Sequence, residues 1–181
     1  WDKLSMGGPD SAGLAIPGIV ATSVEGFAKL ADGVDLARLF QGELPKNNDD
    51  KNNNIWTHDG EGRWLVDLQK SHEIARINTF SWHKGERAPQ AFTLWASGKD
   101  LGAAGWKRLA TVDSKPLGNG GMHGSSVMGL DRALGTYRWL LWQHAERKGT
   151  AYISHIDVFP TEVELPPIKR SLNPANLALK Q

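Results

Sequence analysis

Between residues 64 and 159, short runs of aromatic and β-branched residues alternate with clusters of Gly, Pro and Asn. The runs fall at 64–68, 74–80, 92–97, 106–110, 137–142 and 153–159, and an earlier apolar run at 19–24 is a further candidate. Runs of about four to eight such residues have the length of strands, and the clusters between them are turn formers. A succession of them predicts an all-β, jelly-roll sandwich of about eight antiparallel strands. Alternation assigns the faces. Phe92, Leu94 and Ala96 share one side of their strand, with Thr93, Trp95 and Ser97 on the other. Trp64, Val66 and Leu68 form an inward set and leave Leu65 and Asp67 opposite. Tyr137, Trp139 and Leu141 alternate with Arg138, Leu140 and Trp142, so this strand is apolar on both faces apart from one Arg. That pattern predicts a central strand.

The remaining segments read differently. Residues 27–33 suggest a short helical or turn segment ending at Asp32-Gly33. Residues 46–54 hold no apolar side chain and are expected to form a solvated loop. Their Asn and Asp oxygens suit a hard cation, but the spacing of an EF-hand is absent. Pro160, Pro166, Pro167 and Pro174 dismantle regular structure at the end. The expected organisation is a single sandwich domain over 1–160 and a Pro-containing tail or linker over 161–181.

Composition narrows the function. The 181 residues suffice for one domain with a sizeable core. Twenty-one basic residues against 20 acidic give a net charge of +1, so no field attracts nucleic acid. Cysteine is absent, which removes disulfides, thiolate catalysis and Cys-based zinc sites. No stretch approaches the roughly 18 apolar residues of a membrane span. The chain begins at Trp1 rather than Met, as expected of a processed or trimmed protein. Catalysis lacks support: neither a nucleophile elbow nor an HExxH pattern occurs, and Asp67 and Asp157 read as caps or turn partners of strands. The glycine-rich stretch 118–125 lacks the spacing of a phosphate-binding loop and leads into a strand rather than a helix.

The order of these features carries a resemblance. Val66-Asp67-Leu68 is followed by a strand with Ile74 and Ile77, and Arg87-Ala88-Pro89 leads into Phe92-Thr93-Leu94-Trp95-Ala96-Ser97. Trp106, Tyr137-Arg138 and a closing Ile153-Ser154-His155-Ile156-Asp157-Val158 complete it. Over residues 28–160 the chain resembles the discoidin, or coagulation factor type C, family of galactose-binding-like sandwiches. The stretch 78–90 is similar to a subgroup found in exported bacterial proteins. The resemblance implies a non-catalytic carbohydrate-binding module, extracellular or periplasmic, that targets a neighbouring catalytic or anchoring domain to a glycan. Alternatives on the same scaffold are a protein–protein or adhesion module and, less favoured, a polysaccharide lyase or hydrolase using loop histidines. The resemblance also implies a structural calcium, with Asp32-Gly33 matching its first part. At the late position where a Glu is implied, this chain has His155, and imidazole is a poor ligand for calcium.

The binding residues are expected in loops at one end. Carbohydrate sites combine a flat aromatic face with planar multi-donor groups. The segment 82–87 offers both, and the resemblance points to His83 and Arg87, with Trp82 beside them. A second reading of Arg87 makes it a strut that pairs with Glu86 or a backbone carbonyl. His58 and Asp59 are candidate rim residues, His123 is brought near by the glycine-rich loop, and Tyr152 closes the set. His58, His83 and His123 are the histidines that an enzymatic alternative requires.

Overall fold

In the computed structural model the described residues are 13–24, 35–41, 45, 47, 50, 53–57, 62–98, 105–129, 131, 133–145 and 151–165. Among them nine strands form: β1 (Val20–Ser23), β2 (Ile55–Thr57), β3 (Arg63–His83), β4 (Ala91–Ser97), β5 (Lys107–Asp113), β6 (Gly121–Met128), β7 (Gly135–His144), β8 (Ala151–Ile153) and β9 (His155–Pro160). Every pairing is antiparallel. One layer runs β1-β3-β7-β4-β5, with β7 central as its two apolar faces predict. The second half of β3 is flanked by β6 and β9 and makes the other layer. β2 and β8 form a small separate pair.

The sequence suggests two strands at 64–68 and 74–80, but β3 is continuous for 21 residues. It contributes to both layers because of an irregularity at its middle, where the register with β7 shifts between Asp67 and His72. Gln69 takes a positive φ of 68° there. The Gln69 N–H donates to Asp67 Oδ1 at 2.8 Å, which stabilises the bend, and Arg138 closes on the same carboxylate at 2.9 and 3.0 Å. Asp67 is thus a turn partner, as expected.

The hydrogen bond and charge of Arg138 hold the Asp67 carboxyl below its ordinary value. A carboxyl depressed in the folded state adds stability above its unfolded pKa, and that stability is lost as pH falls through the folded value. Arg138 is 37% exposed, so the pair contributes no more than about 1 kcal/mol. Asp67→Asn should therefore cost about 1 kcal/mol at neutral pH. Urea titrations at a series of pH values should show this difference closing below about pH 4.

The core lies between the layers. Trp64, Val66, Leu94, Ala96, Leu140 and Trp142 pack against Ile77, Val127, Ile156 and Val158. In β3, β4 and β7 the first six are positions whose faces the period-2 pattern assigns, and burial of the apolar area drives the two layers together. The 3-10 turn Leu36–Phe40 adds Leu36 and Leu39, and Asp35 caps it by accepting from the Ala37 N–H at 2.9 Å. Among the described residues no helix is long and apolar enough to cross a membrane.

Two expectations are corrected. The polar stretch before β2 is not simply solvated: Asp50, Asn53 and Asn54 are buried. Asn54 donates to the Asp50 carbonyl at 3.2 Å and accepts from Ser154 Oγ at 2.7 Å, so its amide is satisfied without water. Asp157 is not a strand cap either. It sits inside β9, 1% exposed, with its Oδ1 2.6 Å from His155 Nε2.

Candidate functional site

The connections 84–90 and 114–120 and the start of β8 come together, and specific contacts fix them. The β6 register places Gly121 opposite His83, and Met122 opposite Trp82. Gly120 lies so close to the Lys84 carbonyl that a β-carbon at position 120 would overlap it, so the 114–120 turn rests directly on the 83–85 turn. The Tyr152 N–H donates to the Arg87 carbonyl at 3.1 Å, which ties β8 to the same place.

Beneath these turns lies a buried polar network. Gln90 Oε1 accepts from Thr79 Oγ1 at 2.7 Å, and its Nε2 donates to Ser81 Oγ at 3.2 Å and to the His123 carbonyl at 3.1 Å. Ser114 Oγ accepts from the Gln90 N–H at 2.8 Å and lies 2.8 Å from His123 Nδ1. Ser81 Oγ also donates to the Ala88 carbonyl. Thr79, Ser81 and His123 are buried positions of β3 and β6, while Gln90 and Ser114 reach them from the connections before β4 and after β5. Each is bonded, so the polar block costs little in desolvation and holds the turns above it rigid.

The candidate residues divide by position. Arg87 is exposed, its Nη1 donates to Tyr152 Oη at 2.9 Å, and its Cζ lies 5.7 Å from the Tyr152 ring centroid. Tyr152 is thus a side-chain partner of Arg87 that the strut reading, with Glu86 or a backbone carbonyl, does not name. Trp82 is half-buried near the end of β3. His83 is a strand residue rather than a loop residue, and only 8% of it is exposed. Its Nδ1 accepts from the Gly85 N–H at 2.9 Å, and its ring meets Tyr152 edge-on at 5.0 Å. Tyr152 belongs to β8 and is buried, so it supports Arg87 and His83 from below. His123 is also corrected from loop to strand: β6 begins at Gly121, and the ring is 2% exposed within the polar network. His58, Asp59 and Asp32 lie outside the described residues.

His83, Arg87 and Tyr152 are thus brought together, and His123 sits one layer below. Sequence reading misses Gln90 and Ser114, which organise the site from beneath. The local signal for Gln90 is a polar residue before an inward apolar run, which is too common to decide. Where the resemblance implies a carboxylate for calcium, His155 is 1% exposed and bonded to Asp157, so this position does not fit that metal. Among the described residues no three His, Asp or Glu side chains converge on a metal site.

Comparison with solved structures gives this two-layer jelly roll its name. The lectin domain of lectinolysin, in a His 62 mutant complexed with Lewis b, superposes with a TM-score of 0.58 at 15% identity, covering 80% of this chain and 94% of that one. A chitosan-binding module of a chitosanase/glucanase from Paenibacillus sp. gives 0.53 at 15% identity over 81% and 96%. The CpGH89 module CBM32-5 from Clostridium perfringens, in complex with GalNAc-β-1,3-galactose, gives 0.56 at 12% identity over 81% and 98%. The fold is the galactose-binding-like, discoidin-type β-sandwich, as the sequence pattern implies. No family model and no curated protein matches the chain by sequence.

Proposed function

We propose that this chain is a non-catalytic carbohydrate-binding module. The observation that carries the reading is Arg87, an exposed residue at the loop end of the sandwich whose guanidinium is bonded to Tyr152, which in turn packs against His83. A guanidinium presents several N–H donors in a fixed fork, which suits the paired hydroxyls of a sugar ring. Its hold on Tyr152 Oη orients that fork in advance and reduces the ordering cost of binding. Trp82 and the rim residues His58 and Asp59 complete the proposed site, while Tyr152 and His123 act as its supports. Three structural neighbours whose names describe binding to Lewis b, chitosan or GalNAc-β-1,3-galactose favour a glycan as ligand. The module is placed in an exported bacterial protein, extracellular or periplasmic, joined to a catalytic or anchoring domain. Weak single-site binding gains strength there by multivalency.

The test is retention of the isolated chain on immobilised sugars, in matched pairs: fucose and Lewis b, galactose and GalNAc-β-1,3-galactose, glucosamine and chitosan oligomers. At least one pair should retain the folded chain. A folded protein retained by none of them sinks this reading and leaves the adhesion module on the same fold. His83→Ala should weaken retention. Because His83 is buried against Tyr152, this change should also lower stability by about 1–2 kcal/mol in urea titrations. The half kcal/mol ordinary for an exposed loop position does not apply to it.

A further inference from the structure

We propose that the turn 115–120 forms a second, apolar subsite of the same ligand end, with Leu117 as its contact, so that the module takes oligosaccharides in preference to single sugars. This rests on the glycan-binding reading above. Leu117 is 59% exposed, more than Val20 and Met128, the other large exposed apolar side chains among the described residues. A single exposed leucine on a mobile turn is ordinary. This one stands on a turn whose first half is held by backbone N–H bonds from Lys115, Leu117 and Gly118.

The Lys115 N–H donates to Asp113 Oδ1 at 3.0 Å, Leu117 N–H to the Ser114 carbonyl at 3.0 Å, and Gly118 N–H to the Lys115 carbonyl at 3.0 Å. Pro116 fixes its own φ between them. Ser114 anchors the base of the turn through its N–H on the Gln90 carbonyl at 2.9 Å and its hydroxyl at His123. The side chain is therefore presented in a set position before any ligand arrives, which lowers the entropy lost on contact.

Its place relative to the site follows from the chain. Three peptide steps join Leu117 to Gly120, so their Cα atoms lie within about 11 Å. Gly120 in turn rests on the Lys84 carbonyl, and Gly121 pairs with His83. A sugar held at Arg87 and His83 has its next units within reach of Leu117. The C–H face of a pyranose matches an aliphatic side chain, and the Leu117 isobutyl group offers a contact for it that no hydroxyl on the turn competes with.

The experiment titrates the whole chain and Leu117→Ser with the matched single and oligomeric sugars. The unaltered chain should bind the oligomer at least about tenfold more tightly than its single sugar. Leu117→Ser should lose about five- to tenfold on the oligomer and stay within twofold on the single sugar. Leu117→Gln should repeat this pattern, and both variants should keep the parent melting temperature because the side chain is exposed. Unchanged oligomer affinity in Leu117→Ser, or an equal loss on both sugars, overturns the subsite while the main site stands. Failure of the main site shows separately: Arg87→Ala then binds single sugars as tightly as the parent, and the subsite falls with it.

Discussion

Gln90→Ala should lower the stability of this protein by about 3 kcal/mol, because three buried hydrogen bonds worth about 1 kcal/mol each are lost. The Gln90 side chain is 1% exposed and serves three partners: Thr79 Oγ1, Ser81 Oγ and the His123 carbonyl. Alanine removes all three contacts and leaves a cavity between β3, β4 and β6. The backbone bonds of Gln90 to Ser114 remain, so the loss belongs to the amide alone. For a domain of this size the melting temperature should fall by roughly 6–12 °C. Urea titration should show a lower midpoint with the slope unchanged, as expected of a two-state chain. Gln90→Glu separates hydrogen bonding from volume. A carboxylate keeps the shape but cannot donate to the His123 carbonyl, so it should be at least as damaging as alanine at neutral pH and recover in part in acid. A loss under 1 kcal/mol for Gln90→Ala means that the polar block is a bystander to folding.

Arg87→Ala should reduce sugar affinity by roughly 10- to 150-fold, the equivalent of losing about 1.5–3 kcal/mol from a charged hydrogen-bond donor. Its effect on stability should be small, about 0.5–1 kcal/mol. Arg87 is exposed and its Nη1 donates to Tyr152 Oη, while the Arg87 carbonyl that receives the Tyr152 N–H survives the substitution. Arg87→Lys should recover little, since an ammonium lacks the planar fork. Tyr152→Phe should keep the fold and cost a smaller part of the affinity, because the guanidinium remains but loses its orientation. A strut role predicts the reverse: a steep fall in melting temperature with normal binding by the folded fraction. Calorimetric titration and thermal melts on the same preparations distinguish the two.

The two substitutions act at different depths of one end of the molecule. Gln90 is part of the block that positions the turns, and Arg87 is the group that those turns present. The same division explains why His83 and His123 behave differently from the loop histidines that a catalytic alternative requires. Both lie in strands with little exposed surface, and their bonds run to Gly85 and Ser114.

Much of the fold is legible in the sequence because strand alternation is a local signal. Phe92, Leu94 and Ala96 face inward as their spacing requires, and so do Trp64, Val66 and Leu68. The apolar character of both faces of β7 marks it as central, and it pairs with β3 and β4. Arg87 is legible as a candidate because it adjoins a turn-forming Pro at the edge of such a run. What the tertiary structure alone decides is the fate of the polar side chains. Alternation says that Thr79, Ser81 and His83 share a face with Ile77, but not that this face remains buried. Nor does it show that Gln90, 11 residues from Thr79, supplies the missing partner. Asn54 meets Ser154 across 100 residues, which turns part of an apparent solvent loop into interior. The bend that carries β3 into both layers likewise depends on Arg138, 71 residues from the Asp67 it holds. Hydropathy records how much a side chain prefers water over an apolar interior. Whether a polar one is buried depends on partners that only folding brings within hydrogen-bonding distance.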